Sequence, residues 1–135
     1  MPESQVLRVG IDLVQVSRVT ESIDQFGEKF LRRVFTEAEL AYCQLSEGRV
    51  AERLSARLAA KEATIKALRI VDEGTNWRDI EVCASPSGAC ELSLSGNVQA
   101  AAEKLGATSL AVSLSHEGDY ATAVVVTTVR VQEPI

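Results

Sequence analysis

Long apolar stretches are missing from this sequence. Its uninterrupted hydrophobic runs, as at Ala123–Val126, are about four residues, against roughly 20 for a membrane-spanning helix. There is one histidine, His116, so a multi-histidine metal centre is excluded. The three cysteines, Cys43, Cys83 and Cys90, form neither a C-x-x-C pair nor an even framework, which predicts reduced thiols and a cytoplasmic protein. Phosphate-binding glycine loops of the GxGxxG and GxxxxGK[ST] types are absent, and Ser113 and Ser115 lack a GxSxG setting, which argues against a P-loop enzyme and a serine hydrolase. The net charge of −5 argues against general nucleic-acid binding, which needs a basic surface. Met1–Gln5 is polar and acidic, which predicts no secretory signal. No low-complexity tract or linker interrupts the chain.

What remains is 135 residues, 46% of them hydrophobic. That predicts one domain over 1–135, able to build a core without disulfides. The charge is unevenly spread. Residues 49–71 carry +4, between an acidic 34–48 at −3 and an acidic 72–135 at −6. An acidic protein that gathers its cations on one segment has a candidate anion site there. A solvated helix face with i,i+4 ion pairs gives the same pattern.

Apolar alternation over Val6–Val14 predicts a strand, with Leu7, Val9, Ile11 and Leu13 on one face and Arg8, Gly10 and Asp12 on the other. Ser17 is a candidate N-cap for a helix that Gly27 stops. A short helix follows over Glu28–Val34, and Thr36 with Glu39 forms a capping-box pattern for a third. Arg49–Ile70, free of Gly and Pro, is the longest helical candidate. Asp79–Ala84 and Cys90–Leu94 read as a hairpin, Asn97–Leu105 as a helix, and Ser109–Ser115 with Tyr120–Thr128 as a second hairpin. The order β-α-α-α-β-β-α-β-β, dominated by hairpins, predicts an α+β fold with a largely antiparallel sheet on a long central helix.

Three places can carry chemistry. Asp12 lies two residues after Gly10, where the backbone is bare. A carboxylate there suits a metal or phosphate-bound magnesium, and equally a turn cap. On the long helix, Leu54, Leu58 and Ile65 define one arc and Ala56, Ala60, Ala63 and Ala67 the other, so both sides are expected to pack. Glu62 falls inside the leucine arc, where a carboxylate needs a cation; Lys66 one turn on is a candidate, and an internal Glu62–Lys66 pair is the plain alternative. His116 ends a strand, where it can donate to a phosphate, exchange protons with Glu117 or simply close the strand.

Taken in order, these pieces resemble a known family. Gly10–Ile11–Asp12 with Arg18, Val34–Phe35–Thr36 with Glu39, Arg57–Leu58–Ala59–Ala60–Lys61–Glu62–Ala63 with Lys66–Ala67, and Val112–Ser113–Leu114–Ser115–His116–Glu117 with Tyr120–Ala121 are similar to the holo-[acyl-carrier-protein] synthases. These are the small 4′-phosphopantetheinyl transferases, and the likeness spans about residues 7–128. It implies transfer of 4′-phosphopantetheine from coenzyme A to a serine of apo acyl carrier protein, with release of adenosine 3′,5′-bisphosphate. It further implies Mg²⁺ held by Asp12 and Glu62, and Lys66 on the phosphate beside the transferred group. Arg49, Arg57 and His116 would grip the nucleotide phosphates, and Arg18 would meet the carrier. Glu62 is the first choice of base for the carrier serine and Glu117 the second.

The small form of the family implies a homotrimer with sites between subunits, one contributing Asp12, Glu62 and Lys66 and its neighbour the Gly88 hairpin and His116. The sequence departs from the family pattern in three places. Leu68–Gly74 follows Lys66–Ala67 where many relatives have Gly-Thr-Gly, the hairpin turn is Gly88–Ala89–Cys90, and Gly48 precedes Arg49 where a lysine is common. Those changes keep open a non-catalytic module that binds coenzyme A or a carrier protein, and more distantly a Mg²⁺-dependent nucleotide hydrolase.

Overall fold

The structure, a computed structural model, describes residues 4–45, 48–71 and 74–131. Strand β1 (Ser4–Gln15) is followed by helices α1 (Val16–Phe26), α2 (Glu28–Val34), α3 (Glu37–Cys43) and α4 (Val50–Leu68). After a 3₁₀ turn at Trp77–Asp79 come β2 (Ile80–Ala84), β3 (Cys90–Leu94), α5 (Gly96–Leu105), β4 (Ala107–Glu117) and β5 (Tyr120–Val131). The α+β class and element order match the expectation. The strands form two antiparallel sheets, β1-β5-β4 and β2-β3.

Helix α4 runs across the three-stranded sheet and is the centre of the molecule. Its alanine arc makes the contact: Ala59, Ala60, Ala63 and Ala67 pack with Ala123 and Val125 of β5 and Val82 of β2. Small side chains let the helix axis come close. The approach is closest at Gly10, where a Cβ would clash with the Ala63 carbonyl and lie 2.7 Å from the Ala67 amide nitrogen. The bareness of Gly10 therefore serves helix–strand packing. The leucine arc faces elsewhere: Leu54, with Leu58 beside it, packs on Val34, Phe35 and Cys43 of the α2–α3 region.

One local expectation changes. Gln15, not Ser17, is the N-cap of α1. Ser17 instead donates its hydroxyl to Asp119 Oδ2 at 2.7 Å and its amide to Asp119 Oδ1 at 3.0 Å. A turn 102 residues away thus caps the helix, which spacing within α1 cannot reveal. Cys83 and Cys90 stand opposite Glu91 and Ala84 respectively, so their side chains leave the hairpin on opposite faces. Of the Leu68–Gly74 segment that departs from the family pattern, residues 72 and 73 lie outside the described residues.

The faces of β1 are used in an unexpected sense. Gly10 is buried and Asp12 half-buried against α4, whereas Leu7, Val9, Ile11 and Leu13 are 63–70% exposed.

Candidate active site

Gly10 brings β1 against α4, and Asp12, on the same face of the strand, then meets the next exposed turn of that helix. Lys66 Nζ reaches Asp12 Oδ1 at 3.0 Å and also donates to the Ile11 carbonyl at 3.1 Å. The strand is held from its other side by Thr122 Oγ1, which donates to the Asp12 carbonyl at 2.7 Å. Lys66 thus pairs with Asp12 across elements. The alternative of a simple Glu62–Lys66 pair within the helix is not what forms.

Glu62 shares this corner. Burial pushes its carboxyl up to about 7, and the adjacent Asp12 adds to the rise while Lys66 opposes it. Asp12 Oδ2 is buried and has no hydrogen-bond partner. Both facts describe the same deficit. Two carboxylates face one another with a single lysine, so the cluster is one positive charge short. Mg²⁺ takes one or two carboxylates and completes its shell with phosphate oxygens and water. The residues present fit such an ion, and the orphaned Asp12 oxygen and the Glu62 carboxylate are the groups that could hold it.

A cavity of about 250 Å³ opens from this cluster, and Glu62, Leu58, Leu13, Val19, Phe30 and Arg18 line it. Arg18 therefore lines the same cavity as Glu62. A second cavity of about 490 Å³ shares Ser22 and Phe30 with the first and continues to Phe26, Lys29 and Arg33. Together they make a groove lined by Phe26 and Phe30 and by the cations Arg18, Lys29 and Arg33. No ion pair among the described residues engages Arg18, Lys29 or Arg33, whereas Arg32 is taken by Glu28. Sequence reading found Arg18 alone. The signal for the rest was present: Phe26 and Phe30 at i,i+4 with three cations over Lys29–Arg33.

The other expected phosphate ligands do not join Glu62 within this chain. Arg57 lies about 140° round the helix from Glu62 and turns toward α3. It is 4% exposed, its guanidinium stacks 4.6 Å from the Tyr42 ring centroid, and Nη1 donates to the Arg53 carbonyl. Its Nε is buried without a partner. Arg49 is the exposed N-cap residue of α4. His116 closes β4 with Nδ1 2.5 Å from Glu52 Oε1. Glu52 and Glu62 are ten residues apart on one helix, about 15 Å. The histidine is thus engaged by Glu52; Glu117, its neighbour along the strand, points to the opposite face.

The pairing of the most buried charges is not legible in the sequence. Glu39 closes the expected capping box with Thr36, and it also meets Lys61 Nζ at 2.8 Å and accepts from the Val82 amide at 2.9 Å. Lys61 donates further to the carbonyls of Trp77 and Ile80. Both side chains are fully buried, and burial pulls the Lys61 ammonium below its ordinary range while Glu39 holds it up.

Comparison with known proteins identifies the family. The 4′-phosphopantetheinyl transferase superfamily model matches residues 8–125. The holo-[acyl-carrier-protein] synthase of Koribacter versatilis is 41% identical over 122 residues, covering 90% of this chain and 97% of that protein. A solved ACPS–coenzyme A complex from Chronobacterium ammoniagenes superposes with a TM-score of 0.82 at 36% identity, covering 90% of this chain and 96% of that one. The Helicobacter pylori holo-[acyl-carrier-protein] synthase in complex with coenzyme A gives 0.77 at 30% identity, over 88% and 98%. With the resembling motifs on the elements that build this cluster, the chain belongs to the holo-[acyl-carrier-protein] synthase family of 4′-phosphopantetheinyl transferases.

Proposed function

We propose that this protein transfers 4′-phosphopantetheine from coenzyme A to the serine of an apo acyl carrier protein in a Mg²⁺-dependent reaction that releases adenosine 3′,5′-bisphosphate. The observation that carries the reading is the convergence of Asp12, Glu62 and Lys66, distant in sequence, on a corner one positive charge short. Asp12 and Glu62 would hold magnesium, which when bound would supply the missing positive charge and neutralise the diphosphate of coenzyme A.

The protein's own groups do the rest by position. The basic groove from Arg33 to Arg18 suits an acidic helix of the carrier, whose apolar face would cover Phe26 and Phe30. Its end at Glu62 delivers the serine hydroxyl to a carboxylate, to which we assign the role of base. The serine oxygen attacks the phosphorus that bears pantetheine, and the bond to the bisphosphate oxygen breaks. Lys66 lies beside the two carboxylates and stabilises that leaving oxygen. Such a transfer needs positioning and charge neutralisation more than covalent help.

A homotrimer fits the same geometry. The row Leu7, Val9, Ile11 and Leu13 is a contiguous apolar stripe left open on a sheet face, of the kind that marks an interface. A closed ring of three copies would cover it. It would also bring His116 and Arg49 of one copy toward the Asp12–Glu62–Lys66 cluster of the next, two groups that α4 holds well apart within a chain. We place the enzyme in the cytoplasm, where its carrier and coenzyme A are soluble.

The deciding experiment weighs apo carrier protein after incubation with the enzyme, coenzyme A and Mg²⁺. The expected outcome is a phosphopantetheine adduct that needs both. Absence of any adduct across several carriers, with coenzyme A still bound, would make the chain a binding module. Bisphosphate release without a carrier would make it a hydrolase.

A further inference from the structure

On β4, Leu110, Val112 and Leu114 face inward and pack against the core beneath α4. His116 continues that row and is the first of it to be exposed. Its ring meets Glu52 in the first turn of α4, with Nδ1 2.5 Å from Oε1. A glutamate at that position is also favoured by the helix dipole, so its presence alone says little. Its contact with the sole histidine says more. A carboxylate at that distance from Nδ1 favours the tautomer with its proton there and holds the ring in place by their contact. Nε2, on the opposite edge of the ring, meets no hydrogen-bond or ion-pair partner among the described residues. In the charged ring it is the one remaining donor for a phosphate oxygen.

We propose that Glu52 is a positioning residue for coenzyme A: it acts through His116, fixing the ring so that Nε2–H is presented to a nucleotide phosphate. This rests on the reading of His116 as a phosphate ligand. The contact is to the ring of a neighbouring element, the arrangement by which outer-shell carboxylates orient histidine ligands elsewhere.

The test combines a binding cycle with spectroscopy of the full-length protein. Glu52→Ala should raise the KM for coenzyme A about three- to tenfold, the worth of one ordinary hydrogen bond from a ring that is no longer held in place, with kcat changed less. The same loss should appear in the Kd for adenosine 3′,5′-bisphosphate measured by calorimetry. In a His116→Ala background, Glu52→Ala should add nothing. Glu52→Gln, which can still accept from Nδ1–H, should recover most of the affinity. Ring-nitrogen NMR at alkaline pH should show the proton on Nδ1 in the wild type and a shift toward Nε2 in Glu52→Ala. Additive losses, a wild-type ring protonated on Nε2, or a fall in Tm without a change in KM or Kd would overturn the proposal. The NMR and bisphosphate arms need no turnover, so they separate this inference from the transferase reading itself.

Discussion

Two lysine–carboxylate sites sit within two turns of one helix, and they differ in how completely they are satisfied. Lys61 and Glu39 are fully buried, and their hydrogen-bonding groups meet a partner: the two charges each other, the Trp77 and Ile80 carbonyls, the Thr36 and Val82 amides. Lys66 and Asp12 are nearer solvent, and with Glu62 beside them one carboxylate oxygen has no partner and one carboxyl is pushed up to about 7. A finished set of bonds is what a weld between elements requires. The Lys61 pair joins α3, α4, the 3₁₀ turn and β2. An unfinished set, held in place by surrounding packing, is what a site for an incoming cation and anion requires. The same residue types, five positions apart, serve opposite ends.

The sharpest way to break this comparison is to remove one ligand from the unfinished site. Asp12→Ala or Glu62→Ala should lower carrier modification by at least about 10³-fold, and Lys66→Ala by about 10²-fold, since each removes charge stabilisation used in the transition state. Tm should barely fall in either carboxylate variant. Retained transfer in both would remove the proposed metal role.

The welded pair should behave in reverse. Lys61→Met leaves Glu39 buried without its cation, and chemical denaturation should show a loss of about 3–5 kcal/mol. Restoring apolar character on both sides, as in Lys61→Met with Glu39→Leu, should recover part of it, limited by the lost capping box and Val82 contact. If Lys61→Met left stability intact while abolishing transfer, the division of labour drawn here would be wrong.

A smaller effect tests the groove. Reversing Lys29 and Arg33 to glutamate should raise the KM for the carrier about tenfold, more at low salt than at high, while leaving the KM for coenzyme A unchanged. Equal changes in both constants would remove the groove as the carrier's dock.

The smallest concerns pH. In the metal-free fold Glu62 holds its proton to about 7, above the ordinary 4.5 of an unfolded glutamate. The folded state therefore binds more protons between those values, and stability falls as pH rises through them. Glu62→Gln should flatten that fall in thermal melts between about pH 5 and pH 8. A variant that tracks the wild type at every pH would show that Glu62 is not strained.

Much of this was readable from the linear pattern. The period-2 alternation around Gly10, the Thr36–Glu39 capping box and the uninterrupted Arg49–Ile70 stretch are local signals, and each names an element by its own residues. Glu62 stood out because a carboxylate in an apolar arc is conspicuous in one dimension. The Lys61–Glu39 pair was invisible for the complementary reason. Its members are 22 residues apart, and each has an ordinary local explanation, Glu39 as a cap and Lys61 as a helix surface cation. The groove was half visible: Arg18 came from the resemblance, while Lys29, Arg33 and the two phenylalanines gain meaning only when α1 and α2 are laid side by side.

The sequence alone determined the class, the element order and the ordered motifs that identify the family, because propensity, periodicity and capping act over a few neighbouring residues. Tertiary structure decided which face of β1 is core, that Asp119 caps α1, that Lys66 pairs with Asp12 and that His116 is held by Glu52. Each of those depends on where a helix crosses a sheet. That crossing is set by the total fit of alanines against Gly10 and β5, a sum over the whole chain that no local window contains.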